Sequence, residues 1–242
     1  MTRVTILIPT LDEERALPAT IAALRKLDPS PDEILLVDGG SQDATRAIAE
    51  EAGFECMTAP RKGRGAQINH GVEHASGEIV CVLHADSELP RDAVAVMRKV
   101  MSDRRTSLAS FLPRLVGKRG TRWGSTLHNY VKTWYAPLLF RPHLFFRGVR
   151  LLFGDHAMFF RRVDFIEIGG CDERLSVMEE IGLCTNFAQL GRTRIVHRWV
   201  KTSDRRITKL GSLRANYIYL KVALMWSFGV REGLARHYPT IR

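Results

Sequence analysis

Residues 79–83 are the run that most constrains the fold of this chain. The run reads Ile-Val-Cys-Val-Leu, five apolar residues rich in β-branched side chains and too few for a helix, which predicts a strand buried on both faces. Three hydrogen-bonding side chains follow it, those of His84, Asp86 and Glu88, and Pro90 ends the extended segment. Because open α/β sheets bind ligands at the carboxyl ends of their strands, we expect a ligand site here.

Three earlier segments have the composition of short strands, and helical periodicity separates them. The predicted strands are residues 4–8, 33–37 and 55–58, and the predicted helices are residues 17–24, 43–51 and 66–74. Such alternation predicts an α/β fold with a Rossmann-like, mostly parallel, right-handed sheet flanked by helices. After Pro90 the pattern loosens into a helical C-terminal elaboration, with helices expected at residues 91–101 and 180–190 and a strand at residues 108–112.

Length, charge and cysteine content narrow the class of protein. A chain of 242 residues can bury one good core, which favours a single domain. The net charge of +10 favours anionic partners, namely phosphorylated substrates, nucleic acid or an acidic membrane surface. The four cysteines lack metal-site spacing, which predicts reduced thiols in a cytoplasmic protein. Neither a secretory signal nor a membrane-spanning segment is predicted.

The polar residues after the strand at residues 79–83 have two explanations. Asp86 and Glu88 offer hard oxygen donors, which suit Mg²⁺ or Mn²⁺ carrying a phosphate. The alternative is that Asp86 only caps the following helix. We favour the ligand role because an idle carboxylate beside a buried strand is costly.

Two other loops near predicted strand ends carry candidate ligand residues. The segment Asp38-Gly39-Gly40-Ser41 places a carboxylate beside flexible backbone, which suits a base or ribose, although a simple turn with Ser41 as helix cap is the alternative. Lys62 and Arg64 lie on a glycine-rich loop that suits a diphosphate, although a solvated basic cluster is the alternative.

Carboxylates that open predicted helices are harder to interpret. Asp12 and Glu13 follow the first strand, and acids in a first helical turn are favourable without any ligand. Glu179 and Glu180 open a later helix after a glycine-rich turn, where they either complement the helix dipole or supply a general base.

Five segments in this order resemble the family 2 glycosyltransferases of the GT-A fold, over residues 4–196. The segments are Ile8-Pro9-Thr10-Leu11-Asp12-Glu13-Glu14, Val37-Asp38-Gly39-Gly40-Ser41-Gln42-Asp43, Gly63-Arg64-Gly65-Ala66-Gln67-Ile68-Asn69, Leu83-His84-Ala85-Asp86, and Gly169-Gly170 followed by Met178-Glu179-Glu180. The resemblance implies a nucleotide-diphosphate sugar donor, a divalent metal ion and inversion at the anomeric carbon. It divides the single domain into a nucleotide-sugar-binding half, residues 1–112, and an acceptor-binding half, residues 113–242.

The resemblance also implies a role for individual residues. We expect the nucleotide sugar to be bound by Pro9, Thr10, Glu13, Asp38, Arg64 and Gln67. Lys62 is added to this set because it lies on the same glycine-rich loop as Arg64. Asp86 would be the metal-binding aspartate of the Asp-X-Asp motif. Glu180 would be the base that deprotonates the acceptor, with Glu179 beside it.

The chain departs from the family pattern at two of these positions and lacks one further element. His84 stands where the Asp-X-Asp motif has its first aspartate, so metal binding would rest on Asp86 and Glu88. Glu180 stands where an aspartate is commoner, which lengthens the reach of the base. The Gln-X-X-Arg-Trp element of processive polysaccharide synthases is missing, so we do not expect long-chain synthesis.

Two other functions fit part of the sequence. A sugar-phosphate nucleotidyltransferase would share the layout, but that class resembles a Gly-X-Gly-Thr-Arg opening, and this chain has Pro-Thr-Leu-Asp-Glu-Glu there. A non-catalytic protein that binds a membrane surface or nucleic acid on a decayed transferase site is the other alternative. The retained carboxylates argue against decay, and we expect no nucleic-acid partner.

Aromatic and basic residues are interleaved in residues 122–150 and 213–230. This composition is typical of helices that lie at a membrane surface, and it suggests a lipid-linked or amphipathic acceptor for a protein on the inner face of the membrane. Helices that pack on the sheet or on another subunit are an equally good explanation. Neither the donor base nor the sugar nor the acceptor can be identified from the sequence.

Overall fold

A computed structural model describes residues 1–118, 120–140, 142–175, 178–227, 230 and 234–237 of the chain. Two members of the aromatic and basic segments, Arg141 and Phe228, lie outside these residues. Within them, helices lie on both sides of one mixed sheet, which confirms the predicted α/β class.

The first third of the chain alternates strands with helices. Its elements are β1 (Val4–Thr10), α1 (Leu17–Leu24), β2 (Glu33–Asp38), α2 (Thr45–Glu51), β3 (Glu55–Thr58), α3 (Arg64–His74) and β4 (Ile79–Val82). The four strands are parallel, as predicted, and the structure places them in the order β3-β2-β1-β4. The carboxyl ends of β1, β2 and β4 therefore share one edge of the sheet, which is where the polar side chains emerge.

The rest of the chain completes the sheet and adds helices. Its elements are β5 (Ser87–Glu88), α4 (Ala93–Met101), β6 (Thr106–Gly117), β7 (Gly120–Thr121), α5 (Trp123–Phe140), α6 (Pro142–Phe146), a 3₁₀ turn (Gly154–His156), β8 (Met158–Arg161), α7 (Arg162–Glu167), α8 (Glu179–Leu190), β9 (Arg192–Ser203), α9 (Arg205–Leu210) and α10 (Ser212–Ser227).

Four of these strands, β5, β7, β8 and β9, were not predicted from the sequence. β8 lies between β4 and β6 and is antiparallel to both, and β9 pairs in parallel with β6 and antiparallel with β5. The sequence of β9 is basic and polar and has no apolar run, because most of its side chains are at least partly exposed. The strand expected at residues 108–112 is longer, since β6 continues through the proposed division at residue 112.

Alternate side chains of the central strands enter two apolar layers. Ile6 and Ile8 of β1 pack with Leu17 and Met97 on one side of the sheet, while Leu7 packs with the other layer, under α3 and α8. All four residues of β4 are buried, as predicted for a strand covered on both faces. The apolar core therefore holds the strand ends, and the polar side chains that follow them, in fixed positions.

In the part of the chain that the structure describes, no helix combines the length and the apolar character that crossing a membrane requires. The four cysteines are free, and three of them are buried. Arg64 at the start of α3 and Arg205 at the start of α9 both contact the segment that follows β4, residues 84–86.

Candidate active site

A cavity of about 400 Å³ opens at the carboxyl end of β4. Its polar wall comes from the residues after β4, the starts of α3, α8 and α9, and the 3₁₀ turn. Its other wall is mainly apolar and comes from α5, α10 and the segment before the 3₁₀ turn. A cavity with these two walls suits a ligand that has a polar head and an apolar body.

Arg64 connects three polar residues on the polar wall. Its guanidinium contacts the carboxylates of Glu179 and Glu180, and its Nη1 lies 3.1 Å from Nε2 of His84. Arg64 begins α3, and the two glutamates form the first turn of α8, so the ion pairs join two helix N-termini. Arg64 was expected near a diphosphate, and the structure shows that its main partners are these carboxylates.

Glu180 is a buried carboxyl group with a raised pKa. Burial raises its pKa to about 7, which the charge of Arg64 opposes and that of Glu179 reinforces. A carboxylate with a pKa close to neutrality accepts a proton from a hydroxyl far more readily than an ordinary one does. Both glutamates are buried, and of the two it is Glu180 that lines the cavity.

His84 is neutral in this environment. Burial and the neighbouring charge of Arg64 lower its pKa to about 3. Gly154 packs against the side chains of His84 and Glu180, so a Cβ at this position would force these side chains to shift. The histidine therefore does not replace the missing aspartate as an anionic ligand.

Asp86 faces Arg205 rather than Glu88. Its Oδ2 lies 3.0 Å from Nε of Arg205, and the same guanidinium donates two hydrogen bonds of 2.6 Å to Glu13. Burial raises the pKa of Asp86, and the charge of Arg205 opposes that rise. Two carboxylates from different strand ends thus share one cation, which is the electrostatic environment that a divalent ion needs.

Two of the predicted ligand residues lie apart from the cavity. Glu88 forms an ion pair of 3.0 Å with Lys201 on β9, and both side chains are about half exposed. The structure therefore does not bring Glu88 together with Asp86, because the two carboxylates have different cationic partners. Lys62 is exposed on the bend before α3 and does not line the cavity.

The residues predicted to hold the base and ribose form a second group at the ends of β1 and β2. Buried Asp38 accepts hydrogen bonds of 2.9 Å from two amides of its own loop, one of them that of Ser41. Gln67 donates hydrogen bonds of 2.7 Å to backbone carbonyls of β1 and β2. Pro9 and Thr10 end β1 beside them. The hydrogen bonds of Asp38 and Gln67 thus fix the backbone at this edge of the sheet. Arg205, which lines the cavity, forms an ion pair with Glu13 after β1.

Several residues that line the cavity had no role in the sequence-based prediction. They are Asn129 and Lys132 of α5, Asp155 of the 3₁₀ turn, and Arg205 and Arg206 at the start of α9. The side-chain amide of Asn129 donates a 2.7 Å hydrogen bond to Asp155. Burial opposes ionisation of Asp155, but contact with His156 and the charge of Lys132 outweigh it and lower its pKa to about 2.

A sequence signal existed for some of these residues. Asp155 lies three residues before β8, and Arg205 and Arg206 lie two and three residues after β9, so all three are near strand ends. The signal was not visible because neither strand was predicted. Lys132 has no comparable signal, since it lies in the middle of a helix among many basic and aromatic residues.

Residues with strained backbone lie next to three of the acidic residues described above. Among the described residues, Asp12, Ala157 and Met178 are the non-glycine residues with positive φ, at 52°, 45° and 69°. Each stands within two residues of an acid discussed above, namely Glu13, Asp155 or Glu179. Strained backbone of this kind persists where the surrounding structure fixes a functional geometry.

Comparison with known proteins gives one match to a family model and several to individual proteins. Residues 5–169 match the model described as Glycosyl transferase family 2. An uncharacterized glycosyltransferase of Mycobacterium bovis is 32% identical over 132 residues, which are 54% of this chain and 58% of that protein. An undecaprenyl-phosphate 4-deoxy-4-formamido-L-arabinose transferase of Sodalis glossinidius is 31% identical over 53% of this chain and 48% of that protein. The chain thus spans about half the length of these relatives.

A solved structure is similar over the whole chain. A mannosyltransferase of Pyrobaculum calidifontis, solved with GDP-Man and Mn²⁺, has a TM-score of 0.68 at 17% identity and covers 100% of this chain, which matches 66% of that protein. At this identity the similarity concerns the fold, which is that of the GT-A glycosyltransferases, as predicted.

Proposed function

Because this chain belongs to glycosyl transferase family 2, we propose that it transfers a sugar from a nucleotide-diphosphate donor to an acceptor hydroxyl, with inversion at the anomeric carbon. Membership of this family argues against the alternative interpretation as a sugar-phosphate nucleotidyltransferase. The observation that carries the proposal is the position of Glu180, a cavity-lining carboxylate with a pKa near neutrality that is held by Arg64 on the same wall as Asp86.

The proposed step follows from the charges on the polar wall. An acceptor oxygen forms a bond to the anomeric carbon while the bond from that carbon to the diphosphate oxygen breaks, and Glu180 takes the acceptor proton. Negative charge then develops on the departing diphosphate. Arg205 and Arg206 line the same cavity and are the groups suited to stabilise that charge.

A divalent ion fits the carboxylates at the strand ends. Asp86 and Glu13 already share the charge of one guanidinium, and a metal that also binds substrate phosphates needs only one or two protein carboxylates. We propose that Asp86 would hold the ion, with Glu13, which shares the Arg205 guanidinium with it, as the second carboxylate. The ion would supply further positive charge for the diphosphate. The mannosyltransferase with a similar fold was solved with Mn²⁺.

The proposed activity is tested with a panel of nucleotide-diphosphate sugars in the presence of Mn²⁺. A true donor should raise the apparent melting temperature and release its nucleoside diphosphate when acceptor is supplied, because a ligand that binds only the folded state stabilises it. NMR of the product should show an inverted anomeric configuration. A folded protein that binds no member of the panel would contradict the proposal.

Replacing Asp86 with asparagine should weaken Mn²⁺-dependent donor binding by at least ~10-fold, because it removes a charged ligand while keeping the shape of the side chain. Calorimetric titration with the donor, with and without Mn²⁺, measures this effect. Glu88→Gln is the matched control, and we expect it to bind like the wild type because Glu88 is paired with Lys201. If Glu88→Gln weakens binding and Asp86→Asn does not, the metal lies elsewhere.

We further propose an amphipathic, lipid-linked acceptor reached at a membrane surface. The support is the apolar wall of the cavity, built by α5 and α10, and the apolar side chains that the same helices expose on their outer faces. These exposed residues, with one from α6, include Trp123, Leu127, Leu139, Phe146, Leu213 and Tyr217. The S. glossinidius relative is, by its name, an undecaprenyl-phosphate transferase.

Flotation with anionic liposomes tests the membrane contact. The wild type should float at low salt and lose binding as salt rises, because the net charge of +10 favours anionic lipid. Replacing Phe146 and Leu213 with serine should reduce flotation several-fold, because these side chains are 79% and 89% exposed. Serine at Val163 and Ile166 of α7, also exposed, is the matched control. A wild type that stays in solution at low salt would exclude this contact.

A further inference from the structure

Lys132 occupies an unusual position in the cavity. It lies in the middle of α5, and its Nζ stands 3.8 Å from the centre of the Phe153 ring and 5.3 Å from that of Tyr219. All three side chains line the cavity. The ammonium group is therefore held against aromatic rings at the place where the apolar wall meets the polar one.

No carboxylate neutralises this ammonium by contact. Arg64 and Arg205 of the same cavity are engaged by acids, but within the described ranges no carboxylate oxygen lies within 4 Å of Nζ of Lys132 and no acceptor is hydrogen-bonded to it. Burial lowers the pKa of Lys132, while the charges of Asp155 and Glu180 act against that change. An ammonium has three N–H donors, and those of the half-buried Lys132 are open to the cavity that it lines.

The anion that would satisfy these donors has to enter through the cavity. On one side of Lys132 lies the apolar wall of α5 and α10, and on the other side lies Glu180, whose charge reaches it. A ligand that contacts both walls and offers several anionic oxygens to Lys132 is an amphiphile with a phosphate at the end of its apolar chain.

We infer that Lys132, with Phe153 and Tyr219, forms a subsite for the phosphate of a phosphorylated lipid acceptor. This inference rests on the proposed glycosyl transfer and names the chemistry of its acceptor. The apolar chain would lie along α5 and α10, and the phosphate at Lys132 would place the hydroxyl-bearing head group attached to that phosphate beside Glu180. The subsite is separate from the donor residues at the ends of β1 and β2.

Calorimetry with three small probes tests the subsite in the full chain. The probes are n-decyl phosphate below its micelle concentration, n-decyl glucoside with the same tail and a neutral head, and inorganic phosphate as the head alone. We expect the wild type to bind decyl phosphate about 10-fold more tightly than decyl glucoside, and inorganic phosphate much more weakly than either. Equal affinity for decyl phosphate and decyl glucoside, or no binding of decyl phosphate, would overturn the inference.

Variants at residue 132 identify the side chain responsible. Lys132→Met should lose about 10-fold in affinity for decyl phosphate and keep its affinity for decyl glucoside, whereas Lys132→Arg should retain most of the phosphate preference. Lys99→Met, at an exposed position on α4, should leave all affinities unchanged. If Lys132→Met keeps the preference for phosphate, the inference is wrong even in a protein that folds normally.

Donor binding separates this inference from the function on which it rests. Lys132→Met should bind the nucleotide-diphosphate sugar with wild-type affinity in the presence of Mn²⁺, because Lys132 is assigned to the acceptor. A loss of donor affinity in a variant with normal thermal unfolding would show that Lys132 binds the donor diphosphate. That result would contradict the proposed acceptor subsite. A wild type that binds decyl phosphate but no donor would instead contradict the proposed transfer.

Discussion

Replacement of Glu180 with glutamine is expected to lower turnover by roughly 10²–10⁴-fold while donor affinity stays within a factor of about two, because an amide keeps the size of the side chain but cannot take the acceptor proton. Steady-state kinetics and donor titration measure the two quantities. The variant should unfold at a temperature no lower than the wild type at pH 8, since burial opposes ionisation of Glu180.

The pH dependence follows from the same group. Glu180 works as a base only when ionised, and its pKa is raised to about 7, so kcat/KM should rise between pH 6 and 8 and level off above. Glu179→Gln is the matched control at the neighbouring position, and it should retain measurable turnover with a rising pH profile. A reversed result, with Glu179→Gln inactive and Glu180→Gln active, would show that the base is one residue earlier.

Arg64→Met should cost on the order of 3 kcal/mol of unfolding free energy and also remove most activity, because it leaves two buried carboxylates without their cation. Denaturant unfolding at pH 8 measures the free energy. The loss should shrink toward pH 5, because Glu180, whose pKa is raised to about 7, then takes up a proton and the uncompensated charge decreases.

A neighbouring arginine provides a matched control for Arg64. Arg61 lies three residues earlier and pairs with Glu173 at 2.9 Å, but its side chain is 73% exposed. Arg61→Met should therefore cost less than about 1 kcal/mol. Adding Glu179→Gln to Arg64→Met should restore part of the lost stability. Equal losses for the two arginines, or no restoration, would mean that the Arg64 ion pairs do not hold this wall together.

The sequence alone determined the parallel half of the sheet and the edge at which the site lies. The strands β1, β2 and β4 were visible because their side chains are buried on both faces, so they appear as uninterrupted apolar runs. Asp86, Glu13 and Glu180 could be proposed as site residues because each stands near a strand or helix end, and the resemblance to the family implied their roles. Such patterns depend on neighbours in the sequence and need no knowledge of the fold.

Only the tertiary structure decided which of these groups work together. Arg64 and Glu180 are 116 residues apart in sequence, and Arg205 and Glu13 are 192 apart, so no local pattern links them. The partner of Glu88 was hidden because β9 is polar and gave no strand signal. The position of Lys132 in the cavity depends on the packing of α5, which the local sequence does not show. Long-range pairing is a product of chain packing, whereas strand and helix ends are properties of the local sequence.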